Sequence, residues 1–262
     1  MKHTKFLAYA ALAGVLNFGS ATAEPGGKLD PLLLSHPETA FGAQTSGEAN
    51  FVESIDQKVL SYSSPEIVFQ KSGAEADFIV GVWRDSQGKV VHQREVLIVK
   101  PDYGVVVDYL LGWKGNHEVA CAIGIPSGGS VADTGSNPAV GAGELAIQRL
   151  GLAKPAPASE AASGPAGTHA LAQTGPITLP APIAWAFSRN QSGAPKFEPI
   201  QAANPMVVKC RVTLPGGSID EVGIAWEFRD QLHLGGKVLK GWAAIARKGP
   251  GAGTDIEIKQ AN

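Results

Sequence analysis

The sequence predicts an all-β protein, an antiparallel β-sandwich with a disordered insertion rich in Ala, Pro and Gly. Three observations lead there. No stretch after the leader keeps apolar residues at helical spacing over several turns. Short runs of Val, Ile, Phe, Tyr and Trp recur instead, with Gly, Pro, Asn and Asp between them, which is the punctuation of strands and turns. Finally, 44% hydrophobic residues with 32 Gly and 18 Pro in 262 residues suit a packed, turn-rich body and not a disordered chain or a multi-pass membrane protein.

Taken in order, residues 1–23 read as a signal peptide. Lys2 and Lys5 supply the positive start, Phe6 to Phe18 is apolar, and Ala21-Thr22-Ala23 has the small-x-small pattern of a cleavage site. The apolar run is shorter than the ~20 residues of a spanning helix. The expected location is periplasmic or secreted, with no membrane span after cleavage. Residues 24–50 form an irregular segment. Residues 51–150 hold the first part of the sandwich, with strands expected at 65–70, 77–83, 89–100, 103–111 and 117–125, and a further one at 144–150.

The composition then changes. From 151 to 182 only Lys154 and Glu160 are charged and Ala, Pro and Gly dominate, so residues 151–176 are expected to be a flexible spacer that cannot bury enough side chain to offset its ordering entropy. The remaining strands, in 177–262, are expected at 177–187, 206–214, 221–229, 237–247 and 254–259. Both halves are read as one sandwich, since the second alone would have a thin core.

The clearest element is a hairpin on Lys100-Pro101-Asp102-Tyr103, where proline presets a turn dihedral and aspartate bonds nearby backbone. On its first strand His92, Arg94, Val96 and Ile98 share one face, and Val91, Gln93, Glu95, Leu97 and Val99 the other. The second strand is nearly all apolar around Asp108, as if covered on both faces. That aspartate needs a partner. A three-residue loop puts Arg94 on its face; a loop of two or four residues puts it on the opposite one.

Charge and motifs exclude several functions. With 22 basic and 24 acidic residues the net charge is −2, so no general positive field gathers nucleic acid. Gly124-Ile125-Pro126-Ser127-Gly128 has its serine one place too late for a nucleophile elbow, and the glycine runs lack the strand and helix context of phosphate loops. No Cys-x-x-Cys or His-x-x-x-His spacing occurs. The two cysteines, Cys121 and Cys210, are compatible with one bridge in an oxidising compartment or with two buried thiols. His169 falls in the spacer and His233 in a surface turn. His92 and His117 lie in strands, where each either is satisfied structurally or joins Asp77 or Asp108 in a metal or proton-transfer site.

The run His92-Gln93-Arg94-Glu95-Val96-Leu97-Ile98-Val99-Lys100-Pro101-Asp102-Tyr103-Gly104-Val105-Val106-Val107-Asp108, followed by Leu111-Gly112 and Gly115-Asn116-His117, resembles the heparinase II/III family of polysaccharide lyases. In that family a β-sandwich follows a helical toroid and carries a His-x-Arg strand, a Lys-Pro-x-Tyr-Trp turn, a Val-Val-Asp strand and a Gly-x-x-His element. Gly104 stands where the family usually has Trp.

The resemblance implies β-elimination on uronate-containing polysaccharide, in which a base removes the proton beside the carboxylate and an acid protonates the leaving oxygen. Most of the family's reacting groups come from the toroid, which has no counterpart in this sequence, so catalytic residues are expected to be none. The resemblance also implies a structural zinc, with His92 at the His-x-Arg position and Asp77 as the aspartate; the family's upstream His-Asn-Thr-like segment has no match, His36-Pro37-Glu38-Thr39 being a poor substitute. The partners expected are acidic polysaccharide and a separate helical lyase domain, with no nucleic acid. The alternative is a noncatalytic carbohydrate-binding or structural module, with Trp83, Trp113 or Trp185 either stacking on sugar rings or buried in the core.

Overall fold

The computed structural model describes residues 28–29, 34, 51–60, 65–126, 130–132, 139–142, 145–150, 159–161, 168–189 and 194–259. The signal peptide, His36 and most of the 24–50 segment lie outside them, as do the side chains of Cys121 and His169. The described residues are built from antiparallel strands, numbered here in chain order, with no α-helix among them.

Three sheets stack as layers. The central sheet has eight strands in the order β3 (Glu66–Ser72), β4 (Ala76–Arg84), β5 (Val90–Val99), β6 (Tyr103–Leu110), β13 (Pro182–Arg189), β10 (Leu145–Leu150), β9 (Ala139–Ala142) and β8 (Ser130–Ala132). One flanking sheet runs β11 (Ser159–Ala161), β12 (Thr168–Leu179), β7 (Gly115–Pro126), β1 (Phe51–Ile55) and β2 (Lys58–Val59). The other runs β14 (Lys196–Ile200), β15 (Val207–Thr213), β16 (Ile219–Leu234), β17 (Lys237–Lys248) and β18 (Ile256–Ile258).

The layering follows from the central strands. β4, β5 and β6 are buried on both faces, so each face has a cover. Ile79, Val96, Ile98, Val106, Trp185 and Phe187 pack against Ile55, Val119 and Leu179 of the first flanking sheet, joined by Leu29 and Leu34 of the N-terminal segment. Phe78, Val80, Leu97, Val105, Val107 and Ala186 pack against Val212, Val222, Ile224 and Ile245 of the second. The all-β sandwich is thus present, with two interfaces sharing one central sheet.

Three of the expected elements differ in extent or position. The strand expected at 177–187 is two strands in different sheets, β12 ending at Leu179 and β13 starting at Pro182. Pro180 and Pro182 lack the N–H that a continuous ladder would use, so the chain changes layer there. β12 also starts at Thr168, inside the expected spacer, and pairs with β7 from Thr168↔Pro126 to Leu179↔Gly115. The stretch from Thr168 carries Thr, Leu and Ile among its small residues, and its backbone finds a partner strand in β7. Third, β16 continues to Leu234, so that His233 is an exposed strand residue beside the Gly235-Gly236 turn. Both turn glycines have positive φ, 58° and 79°, as a two-residue hairpin turn requires.

Candidate functional site

The hairpin β5–β6 closes with Val99 opposite Tyr103, so its loop is the three residues Lys100, Pro101 and Asp102. That length puts Arg94 directly opposite Asp108. Their pairing is bidentate: Arg94 Nε donates to Asp108 Oδ1 at 2.6 Å and Nη2 to Oδ2 at 3.0 Å. His92 Nε2 lies 2.7 Å from the same Oδ1. A carboxylate only accepts, so Nε2 carries the proton and donates.

Asp108 is wholly buried, and His92 and Arg94 nearly so. Burial pushes the Asp108 carboxyl upward, but the Arg94 charge and the His92 hydrogen bond outweigh it and hold the group well below the usual carboxylate range. For His92 burial dominates and lowers the pKa, against the pull of Asp108, so the ring is neutral. Trp83 stacks on the His92 ring at 4.4 Å between centroids, and the Arg94 guanidinium lies 5.8 Å from the Trp83 ring centre.

The N-terminal segment completes this cluster. Arg94 Nη1 donates to the Leu34 carbonyl at 3.0 Å. The Leu34 side chain occupies the space above Gly81, where an added Cβ would stand 2.5 Å from Leu34 Cδ1. Glycine at this strand position therefore leaves room for the Leu34 side chain to seat against the sheet.

Asp77 lies on the same face of the sheet but elsewhere along it. It pairs with Ile98, whereas Trp83 pairs with His92, so six residues separate the two positions, about 20 Å along a strand. Its carboxylate accepts from Ser72 Oγ at 2.6 Å and pairs with Lys100 Nζ at 2.8 Å. Among the described residues no group of three or more His, Cys, Asp or Glu side chains is placed to hold a metal ion. The described residues consequently do not fit a zinc held by His92 and Asp77 together; His92 takes Asp108 as its carboxylate.

His117 is in the other layer, paired with Asp56 through Nδ1 at 2.9 Å, and that contact raises its pKa. Of the tryptophans considered for sugar stacking, Trp185 is 1% exposed and Trp83 9%, both inside the protein, while Trp113 is half-buried against the first core. Cys210 is a free buried thiol whose pKa burial pushes up to about 12.

Two buried polar groups face the second interface. Tyr103 Oη donates to Asp220 Oδ2 at 2.8 Å, and Arg247 approaches the same aspartate while pairing with Glu75. Glu95 is fully buried; Gln93 Nε2 donates to its Oε1 at 2.6 Å and to the Trp226 carbonyl at 2.6 Å, and Glu95 Oε2 has no hydrogen-bond partner among the described residues. Burial drives the Glu95 pKa well above its ordinary value, against the pull of the Gln93 hydrogen bond, which favours the neutral acid.

A carboxyl whose folded pKa is raised contributes stability that is complete below its unfolded pKa and is lost as pH rises toward the folded one. Wild-type stability is therefore expected to fall above about pH 4.5 with a contribution of about 1.4 kcal/mol per pH unit from this group. Glu95→Gln should remove that slope in urea titrations at a series of pH values; an unchanged slope would show that Glu95 ionises normally.

Among the described residues the fold is an antiparallel β-sandwich whose buried polar side chains hold strands to one another. No protein-family model matches the chain, and no curated protein matches it. Solved structures do. The heparan sulfate lyase from Pedobacter heparinus is similar with TM-score 0.51 and 14% identity over 68% of this chain, and a mutant of it with TM-score 0.52. A heparinase III is similar with TM-score 0.50 and 13% identity over 67%. The matched part is 30% of the length of each of these chains.

Proposed function

We propose that this chain is an exported β unit that binds uronate-containing acidic polysaccharide and serves its breakdown without carrying the eliminating machinery. The observation behind this reading is the β5–β6 hairpin. The residues that resemble the heparinase II/III family form the centre of a fold similar to heparan sulfate lyases, and their polar members are engaged with one another.

β-Elimination needs a base and an acid that reach the sugar and donors that neutralise its carboxylate. His92, Tyr103 and Tyr109 are buried, and His117 is paired with Asp56. The first three are out of reach of a polymer, and both ring nitrogens of His117 are already hydrogen-bonded, to Asp56 and the Lys114 carbonyl. The reacting groups are assigned to a separate helical lyase domain that presents the polymer together with this unit.

The test is titration of purified mature chain with heparan sulfate, chondroitin sulfate, alginate and neutral dextran. Saturable binding to at least one acidic polymer, and none to dextran, is expected. Failure to bind any acidic polymer would leave a purely structural module.

A further inference from the structure

Half-buried Phe69 and Trp242 and exposed Phe228 come together near the side where edge strand β3 of the central sheet approaches edge strand β18 of the second flanking sheet. Trp242 of β17 stacks on Phe69 of β3 at 5.9 Å between centroids, with an interplanar angle of 27°, and meets Phe228 of β16 edge-on at 6.4 Å. Phe228 is 38% exposed, one of three large hydrophobic side chains left exposed among the described residues.

The backbone explains why these rings reach the surface. The β16–β17 ladder breaks between Ile224 and Arg229, and Gly241 opposite the break has φ of 131°. Such irregularities bend a strand and redirect its side chains.

Positive charge adjoins the rings. Lys71 follows Phe69 by two residues on the same face of β3 and extends to the Glu257 carbonyl on β18, 3.5 Å away. Lys259 Nζ pairs with Glu257 Oε2, and the Lys240 amide donates to Glu257 Oε1 at 2.7 Å. Three exposed lysines thus lie at the Glu257 end of this edge: Lys259 pairs with the carboxylate, Lys240 donates its backbone amide to it, and Lys71 reaches the backbone carbonyl.

We propose that this seam, with Phe228 and Trp242 as the stacking platform and Lys71, Lys240 and Lys259 as the cationic rim, is where the chain holds an acidic polysaccharide. The assignment rests on the polysaccharide reading above and specifies its surface. A uronate ring offers an apolar C–H face that packs on an aromatic ring and an anionic group that pairs with an ammonium, and the seam presents both together. A neutral polymer would use only the rings, and a nonspecific polyanion only the lysines.

The experiment compares heparan sulfate binding by wild type, Phe228→Ala and the double variant Lys71→Glu/Lys259→Glu, with circular dichroism as a check on folding. All three substituted side chains are exposed, so the fold is expected to survive. Phe228→Ala should weaken binding by about tenfold, the scale of one aromatic contact, and the charge reversal should weaken it further and reduce its salt dependence. If wild type binds and both variants bind equally well, the polymer sits elsewhere and this assignment fails while the polysaccharide reading stands. If wild type binds no acidic polymer, both fail. A dimer that Phe228→Ala dissociates would give the surface to a second copy of the chain and overturn the proposal.

Discussion

Asp108→Ala is expected to destabilise the protein by about 3–5 kcal/mol, the cost of stranding a buried charge. Asp108 is wholly buried and is the shared acceptor of Arg94 and His92. Without it the guanidinium keeps its Leu34 contact but loses its counter-charge in the interior. The penalty belongs to the orphaned cation more than to the lost hydrogen bonds, so Asp108→Asn, which keeps the shape but not the charge, should also be severe. Adding Arg94→Leu to Asp108→Ala should recover part of the loss. Urea unfolding measures all of these; an Asp108→Ala protein within about 0.5 kcal/mol of wild type, the range of an ordinary surface change, would show that the pair is solvated and the interior reading mistaken.

Filling the glycine at 104 should be the second large effect. Gly104 sits directly between Ile98 and Phe187 on neighbouring strands, and a Cβ there would stand 2.5 Å from Phe187 Cε2 and Cζ. Because Phe187 is 1% exposed in a packed core, its ring has little room to retreat. Gly104→Ala should cost about 1–3 kcal/mol by overpacking, and Gly104→Trp, the residue usual in the resembling family, should prevent folding. Phe187→Ala alone should cost about 3–5 kcal/mol through its cavity, yet in its presence Gly104→Ala should become nearly neutral. Additive losses across that cycle would mean that the two residues do not contend for one space.

Much of the central sheet was legible because alternation along 89–100 and the turn at Lys100-Pro101 fix which side chains share a face. The two faces of β5 are as read from the sequence, and Asp108 has the partner its burial demanded. Loop length was the missing datum. A one-residue change reverses the face of every later side chain, and sequence pattern does not count turn residues that closely.

Other features depend on contacts between residues far apart in the chain. Tyr103 and Asp220 meet across 117 positions, and the collision space at Gly104 is visible only once β13 lies beside β6. Strands β1 and β2 escaped because their turn uses Asp56 and Gln57 at positive φ, 50° and 67°, instead of the glycine that usually announces such a hairpin. β14 escaped because it contains Pro199, which an edge strand tolerates. The resemblance paired His92 with Asp77 through zinc, whereas the register separates them by most of a strand and gives His92 to Asp108.

The central claim is that this unit holds acidic polysaccharide while the eliminating groups belong to another domain. Its most direct test is the ultraviolet absorbance of unsaturated uronate ends when the purified chain is incubated with a polymer it has been shown to bind. The account predicts bound polymer and no rise in absorbance. A steady, enzyme-proportional release of unsaturated ends would contradict it.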